Sequence, residues 1–512
     1  MARPAREATP NNVLFNLRNQ QGWTQLDEAE ELNKLASRRK VRGYHVSPNT
    51  VSRWERGIIP VPEPVSQRLL ADLYGVTIDQ LGFTRLRPVR DQPGRFQEER
   101  SAAAALLGPI PLYDRPPMLD ERVQASQHQW VLTRRGLNQH RIDLSREAAR
   151  WHASCQRVGR STLLTRPAWV LPAPVELDQV VLDWTDEQPP APVRGVEPEA
   201  RAARPLLTAE QRYGRYVHAV RDLDPPRLFE HRLAFRLRTI DCARPEQPRL
   251  GFGMTTYFDA VDVCESIAHE LADAYLSFMP DSVEVRQPSG RRLPFRKLVG
   301  DPFDLDRRLV GSSIDTLTIR RAGSSASFVL HQRDAGRVAV AGGMYHVMPA
   351  GVFQPSSMAP DAPASDFDLW RNVLREYSEE FLGNLDHDGN ASAVIDYDHH
   401  EPFRSLDQAR RDGKLRVFFL GVGLDPLTLW GEVLTAAVFD DDAFDELFAS
   451  MLTHNQEGTV VSVAHPSRPA RYVPFTEERV DQLVEAEPVA PAAAACLELA
   501  WRDRQTLLDP GR

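Results

Sequence analysis

The chain has 512 residues and 40 prolines, too long for one hydrophobic core, so about two to four domains joined by linkers are expected. With 42% hydrophobic and 26% charged residues it has a globular make-up; no long apolar run marks a membrane span, and "MARPAREATPNNVLFN" lacks the apolar core of a secretory signal, so a cytoplasmic protein is expected. Four widely spaced cysteines (Cys155, Cys242, Cys264, Cys496) offer no C-x-x-C pair, which argues against a cysteine zinc site and for reduced thiols.

The net charge of −9 is unevenly spread. Residues 1–95 carry about 15 Lys/Arg against about 10 Asp/Glu, roughly +5, which leaves roughly −14 for the remainder. A basic end on an acidic body suits a DNA-binding head with a separate regulatory or catalytic body.

Residues 11–84 read as a compact five-helix unit. "NNVLFNLRNQQGW" places Val13, Leu14, Leu17 and Trp23 near helical spacing, with Gly22 as a stop. In "TQLDEAEELNKLASRRK", Thr24 caps the next helix with Asp27 three residues on, and Leu26, Ala29, Leu32 and Leu35 are its expected apolar face. Ser47 caps a third helix, with Pro48 in its first turn, where a missing N–H costs nothing, and Gly57 at its end. Val51 and Trp54 then face a core, while Asn49, Thr50, Ser52, Arg53 and Arg56 point elsewhere. "PEPVSQRLLADLYG" and "TIDQLGF" complete the unit. Arginine suits the O6 and N7 of guanine, asparagine the N6 and N7 of adenine, so this helix has the side chains to read a major groove.

The stretch "WTQ…L…SPNTVSRWERG…P…LADLYGVTIDQLGF" resembles the Cro/repressor-type helix-turn-helix of the xenobiotic-response-element regulators, over about residues 9–84. The resemblance implies an all-α head that binds double-stranded DNA. It places Thr24 and Gln25 at the opening of the motif's first helix, the Gln on phosphate. It puts Thr50, Val51, Ser52, Trp54, Glu55 and Gly57 on the recognition-helix pattern, and makes Ser47, Asn49 and Arg53 base readers. Arg56 suits phosphate, and Glu55 a structural pair with Arg53 or Arg56. A homodimer reading two half-sites is implied as well. The chain departs in one respect: Ser47 arrives about a dozen residues late, after "NKLASRRKVRGYH", whose Arg38, Arg39, Lys40 and Arg42 could reach phosphate. The bland alternative is a helical protein-interaction module with a solvated basic stretch.

Residues 85–120, rich in Arg and Pro, read as a linker. Residues 121–300 read as a mixed helical and α+β region, helical over 121–160, with a second linker over Asp186–Pro205 and the helix "DAVDVCESIAHELADAYLSFM". From 301 to 512 the texture becomes α/β: "IDTLTIRR", "ASFVLHQRD", "VAVAGGMYHVMPAGVF" and "LRVFFLGVGL" read as strands, and "DFDLWRNVLREYSEEFLG" as an amphipathic helix. On that helix Glu376, Glu379 and Glu380 stand at i, i+3 and i+4, one side of a regular turn. Three carboxylates held together favour a cation, and oxygen ligands favour Mg²⁺. A metal-bound diphosphate with a carboxylate-activated water would follow.

"YHVMPAGVFQP" and "REYSEEFLG" resemble the box of the Nudix diphosphate hydrolases, with Arg375, Glu376, Glu379 and Glu380 on its arginine and glutamates; the likeness covers roughly residues 310–445. It implies a Nudix-like α/β body that binds a nucleotide-like ligand, with Mg²⁺ on Glu376, Glu379 and Glu380, and with Glu379 and Glu380 catalytic if the chain is a hydrolase. The spacing departs from the family: Gly351 precedes Arg375 by about ten residues more than the box prescribes, Phe367 (flanked by Asp366 and Asp368) or Ser357 replaces its first glutamate, and Tyr377 replaces an aliphatic residue. A degraded box can bind without cleaving. The expected protein is therefore a DNA-binding regulator with a ligand-sensing body; the alternative is a Mg²⁺-dependent diphosphate hydrolase with an accessory head. Weaker signals are Glu265, His269 and Glu270 on one helix, G-x-G in "GFGMTTYFD", His399 with His400, Ser312 with Ser313, and Glu432 as a later carboxylate.

Overall fold

In the computed structural model, Thr24 opens helix α1 (Gln25–Arg38) with a reciprocal capping box: the Asp27 amide donates to its hydroxyl, and the Asp27 carboxylate accepts from its backbone N–H. Helix α2 (Pro48–Glu55) starts at Ser47, whose hydroxyl accepts from the Thr50 amide, with proline at the first turn. Helix α3 spans Pro64–Tyr74. Ala29, Leu32, Ala36, Val46, Val51, Trp54, Leu69, Leu70 and Leu81 close a small core. The other two expected helices fall partly outside the described residues, although positions 14, 17 and 18 are helical. Leu26 departs from its expected inward position and is 53% exposed, because α1 buries Glu28, Ala29, Leu32 and Ala36 instead.

The structure describes residues 23–39, 45–56 and 64–74 and a few single positions of the head, and most of 120–509 apart from short segments at 186–189, 227–228, 279–282, 287–291, 334–343, 385–393, 450–457, 461–462 and 466–467 and the single positions 358 and 471. The expected linker at 85–120 lies outside the described residues, save its last position. The chain forms two units, Met1–Pro116 and Pro117–Arg512.

The second unit begins with helices α4 (Glu121–Gln139) and α5 (Arg141–Trp151). These pack through Leu137, Leu144 and Ala148 on the long helix α6 (Tyr257–Tyr275), which is buried on nearly every side. Beside it lies a three-stranded sheet of β2 (Val181–Trp184), β3 (Leu233–Asp241) and β4 (Arg249–Thr256), while β1 (Val170–Glu176) leaves for a larger sheet. That sheet is centred on β5 (Ser312–Ala322). Strands β6 (Ser325–Phe328) and β7 (Ala350–Val352) pair with β5 antiparallel, and β9 (Gly431–Asp440) pairs with it parallel. Strand β8 (Leu415–Leu424) joins β9 to β1. One sheet face carries helix α7 (Leu369–Glu376), the other helix α8 (Pro491–Arg502), so the layers run helix, sheet, helix.

A bulge between Phe419 and Gly421 keeps β8 in phase with both layers. Val417 and Phe419 lie in the core under α7, and after the extra residue Val422 and Leu424 continue on that same face. Gly421 has φ +148°, and a Cβ there would stand 2.7 Å from the Trp169 carbonyl oxygen, so only glycine fits.

The division expected between 300 and 301 does not separate two units. Glu176 and Val175 of β1 pair with Phe418 and Phe419 of β8, and one core joins Phe235, Leu250 and Ile267 to Ile314, Val373 and Val433. The segment expected as a linker over 186–205 is built into the fold where it is described. Val193 donates to the Arg307 carbonyl, and Ala200 and Ala203 are buried. Among the described residues no helix is long and apolar enough to cross a membrane. The four cysteines are free thiols, and burial pushes those of Cys242 and Cys264 up to about 12.

Candidate functional site

Helix α2 divides as its sequence predicts. Val51 and Trp54 are buried at 0% and 3% exposure, while Asn49, Arg53 and Arg56 are exposed and Ser47, Thr50 and Ser52 lie half-buried between them. The polar groups therefore form one continuous outward face on a capped helix. Ser47 and Thr50 also bond hydroxyl to hydroxyl at 3.0 Å, which fixes both at the helix start.

What braces α2 differs from expectation. Glu55 pairs with neither Arg53 nor Arg56. Its buried carboxylate accepts from Arg18 Nε at 2.7 Å and from Gln25 Nε2 at 2.6 Å. Gln25, expected on phosphate, thus spends its amide N–H on Glu55, while Thr24 is exposed at the α1 cap. Three elements are tied by one carboxylate: the first helical segment through Arg18, α1 through Gln25 and α2 through Glu55 itself.

A second buried carboxylate borders this network. Glu28 is 0% exposed, 3.8 Å from Arg18 Nε, with Tyr74 facing it from α3. Burial, reinforced by the charge of Glu55, raises its pKa to about 7. Burial likewise pushes the Tyr74 phenol up. Two carboxylates share one guanidinium, and near neutrality Glu28 holds a proton part of the time.

Asn33 is a positioning residue that the sequence reading passed over. Its side-chain amide donates to the Val46 carbonyl and accepts from the Val46 amide, both at 2.8 Å. The chain therefore re-enters the core at a fixed point just before Ser47, whatever length separates it from α1. The signal was an asparagine in a helix beside an oversized turn. Arg38 and Arg39 are exposed, and Lys40 and Arg42 lie outside the described residues.

The carboxylates of the body stand at a change of helical form. Helix α7 ends at Glu376, and the chain continues as a wider π-helical turn over Tyr377–Phe381. Both Glu376 and Glu380 lie beside the strand β7, at Gly351 and Ala350. Glu376 lies against the backbone of Gly351, where an added Cβ would strike its carboxylate. Glu380 is buried and accepts from the Ala350 amide at 3.5 Å, and all three glutamates are already engaged within the fold. Tyr377 is fully buried and bonds Thr318 through its hydroxyl at 2.8 Å. Arg375 donates to the Gln354 carbonyl and to Asn372 and lies 3.8 Å from Asp366. Phe367 sits in an aromatic cluster with Phe235, Phe252 and Phe353. Among the described residues no group of three His, Cys, Asp or Glu side chains is disposed to hold a metal ion.

Several of the weaker signals have structural roles. Glu265 is held by Arg141, and Glu270 accepts from the Phe295 and Arg296 amides. His269 stacks on Trp130, and burial lowers its pKa to about 3. His399 pairs with Asp396 on the surface, and Ser313 accepts from the Trp430 indole. No known family model matches the chain, and no curated protein shows significant similarity to it.

Proposed function

We propose that the chain is a DNA-binding transcriptional regulator. Its helix-turn-helix head reads a major groove with Ser47, Asn49 and Arg53, and its body binds a small phosphorylated ligand. The observation that carries this reading is the division of α2: an apolar side locked in a small core, and an opposite side that presents Asn49, Arg53 and Arg56 to solvent. The body contributes a layered α/β frame, against which ligand binding gains regulatory meaning once two states of the protein differ in affinity. The protein acts as a homodimer on two half-sites.

The test is fluorescence anisotropy of the full chain on duplex DNA, first random in sequence and then selected for tight binding. Binding should weaken steeply between low and moderate salt. Arg53→Ala should cost about 1–3 kcal/mol on the selected duplex and flatten base preference, while Arg56→Ala should weaken all sequences alike. Binding that ignores salt and both substitutions would overturn the reading.

A further inference from the structure

The head keeps two carboxylates and one guanidinium inside a core too small to part them. Arg18 commits its three nitrogens: Nε and Nη2 donate to Glu55 at 2.7 and 3.3 Å, and Nη1 to the Trp23 carbonyl at 2.6 Å. Glu28 stands 3.8 Å from the same Nε, is 0% exposed, and neither of its oxygens makes a hydrogen bond. The charged and titratable groups that face it are Tyr74 from α3, Glu55 from α2 and Arg18 from the first helical segment.

Buried without a donor, a carboxylate costs far more than a neutral carboxyl group. An ionised Glu28 lowers that cost by drawing the guanidinium from Glu55. The gap of 3.8 Å is too long for a hydrogen bond, yet a small turn of the Arg18 side chain closes it. Glu55 then keeps Gln25 as a donor but loses the charge that ties α2 to the first segment.

We propose that this shared guanidinium is a proton-operated latch on α2. With a proton on Glu28, Arg18 belongs to Glu55 and α2 is held; without it, Arg18 divides between the two carboxylates and α2 loosens. Asn49, Arg53 and Arg56 ride on that helix, so a loosened seat weakens whatever they bind. For its effect on DNA the latch rests on the proposed reading of α2 as a groove reader. Burial, reinforced by the charge of Glu55, raises the Glu28 carboxyl to about 7, which sets the latch near neutrality. The held state is the one with the raised pKa, so protons favour it: α2 is firmest on the acid side and released as pH rises through about 7.

The test is anisotropy of the full chain on the selected duplex at fixed salt, from about pH 6.5 to about pH 8.5, with amide hydrogen exchange, corrected for intrinsic rates, over the same range. DNA affinity should fall about tenfold across it, which is one pKa unit of coupling between Glu28 and α2. Exchange should quicken more in α2 than in α1 and α3. Glu28→Gln, uncharged at every pH, should bind at the tight acid-side level throughout and keep α2 protected. His45 stands exposed two residues before Ser47, so His45→Gln is the control and should leave the fall in place. The latch is overturned if the parent's affinity does not change with pH, if Glu28→Gln falls as the parent does, if His45→Gln abolishes the fall, or if α2 exchanges in step with α1 and α3. With no DNA binding at any pH the groove-reading proposal fails alone, and the exchange comparison still decides the latch. Should Glu28→Gln not fold, Glu28→Met, of similar length and without charge, takes its place.

Discussion

The head and the α7 region each carry a short polar pattern on a helix, yet they end differently. In α2 the apolar pair Val51 and Trp54 goes inward and the polar residues go outward. In α7 and the turn after it, Arg375, Ser378 and Glu380 are buried along with the apolar residues. The head has a small core and must keep most polar groups in water. The body has a sheet and a second helix layer to enclose them, and backbone groups of Gln354 and Ala350 to satisfy them. Polar spacing on a helix thus indicates a face, while the size of the surrounding unit decides whether that face meets solvent.

The sharpest way to break this contrast is Glu55→Ala. It removes the acceptor that Arg18 and Gln25 share, leaving Arg18 with Glu28 and the Trp23 carbonyl, and should cost the head about 3 kcal/mol, seen as faster amide hydrogen exchange in α1 and α2 with the body unchanged. Little change would mean that the Arg18–Glu55–Gln25 network is incidental.

Next in size is the pH response of Glu28. Its pKa is raised from 4.5 to about 7, so the folded head keeps a proton that the unfolded chain releases. Its stabilising contribution is full below the unfolded pKa, falls between pH 4.5 and about 7, and is gone above. The total is at most roughly 3 kcal/mol, and Glu28→Gln should flatten the dependence of exchange in α1 and α3 after correction for intrinsic rates. Unaltered pH dependence in that variant would place the proton elsewhere.

Leu26→Gln should change stability by less than about 0.5 kcal/mol, since the side chain is already exposed. A larger loss would restore the apolar face first expected of α1. The smallest expected effect is none: Mg²⁺ alone should not move the thermal midpoint of the full chain, because a ligand stabilises only the state that binds it. A midpoint rise of several degrees, absent in Glu379→Gln and Glu380→Gln, would give those glutamates the metal role expected from the sequence.

The legible parts of the fold were the local ones. The Ser47 and Thr24 caps, the placement of Pro48 and the inward turn of Val51 and Trp54 depend on neighbours within a turn or two, which spacing encodes. Strand β8 was legible because a continuous apolar run marks a strand buried on both faces, and β5 because Leu317 and Ile319 alternate with threonine. What spacing did not encode was long in sequence. Glu55 meets Arg18 across 37 residues, and Arg416 of β8 meets Glu176 of β1 across 240. The π-helical turn was hidden for another reason. Tyr377 leaves the ordinary helical register while its hydroxyl meets Thr318, a tertiary contact that no helix periodicity announces.

The clamp between Asn33 and Val46 has a consequence for how this head could change. Because both amide groups of the clamp are satisfied at the base of the detour, what lies between its two ends is released from any duty to aim α2. Each doubling of such a detour costs only about 0.6 kcal/mol in closure entropy. Lineages and protein engineers alike thus have a place to splice in new sequence next to the outward face of α2, free to acquire contacts of its own while α2 stays in its seat.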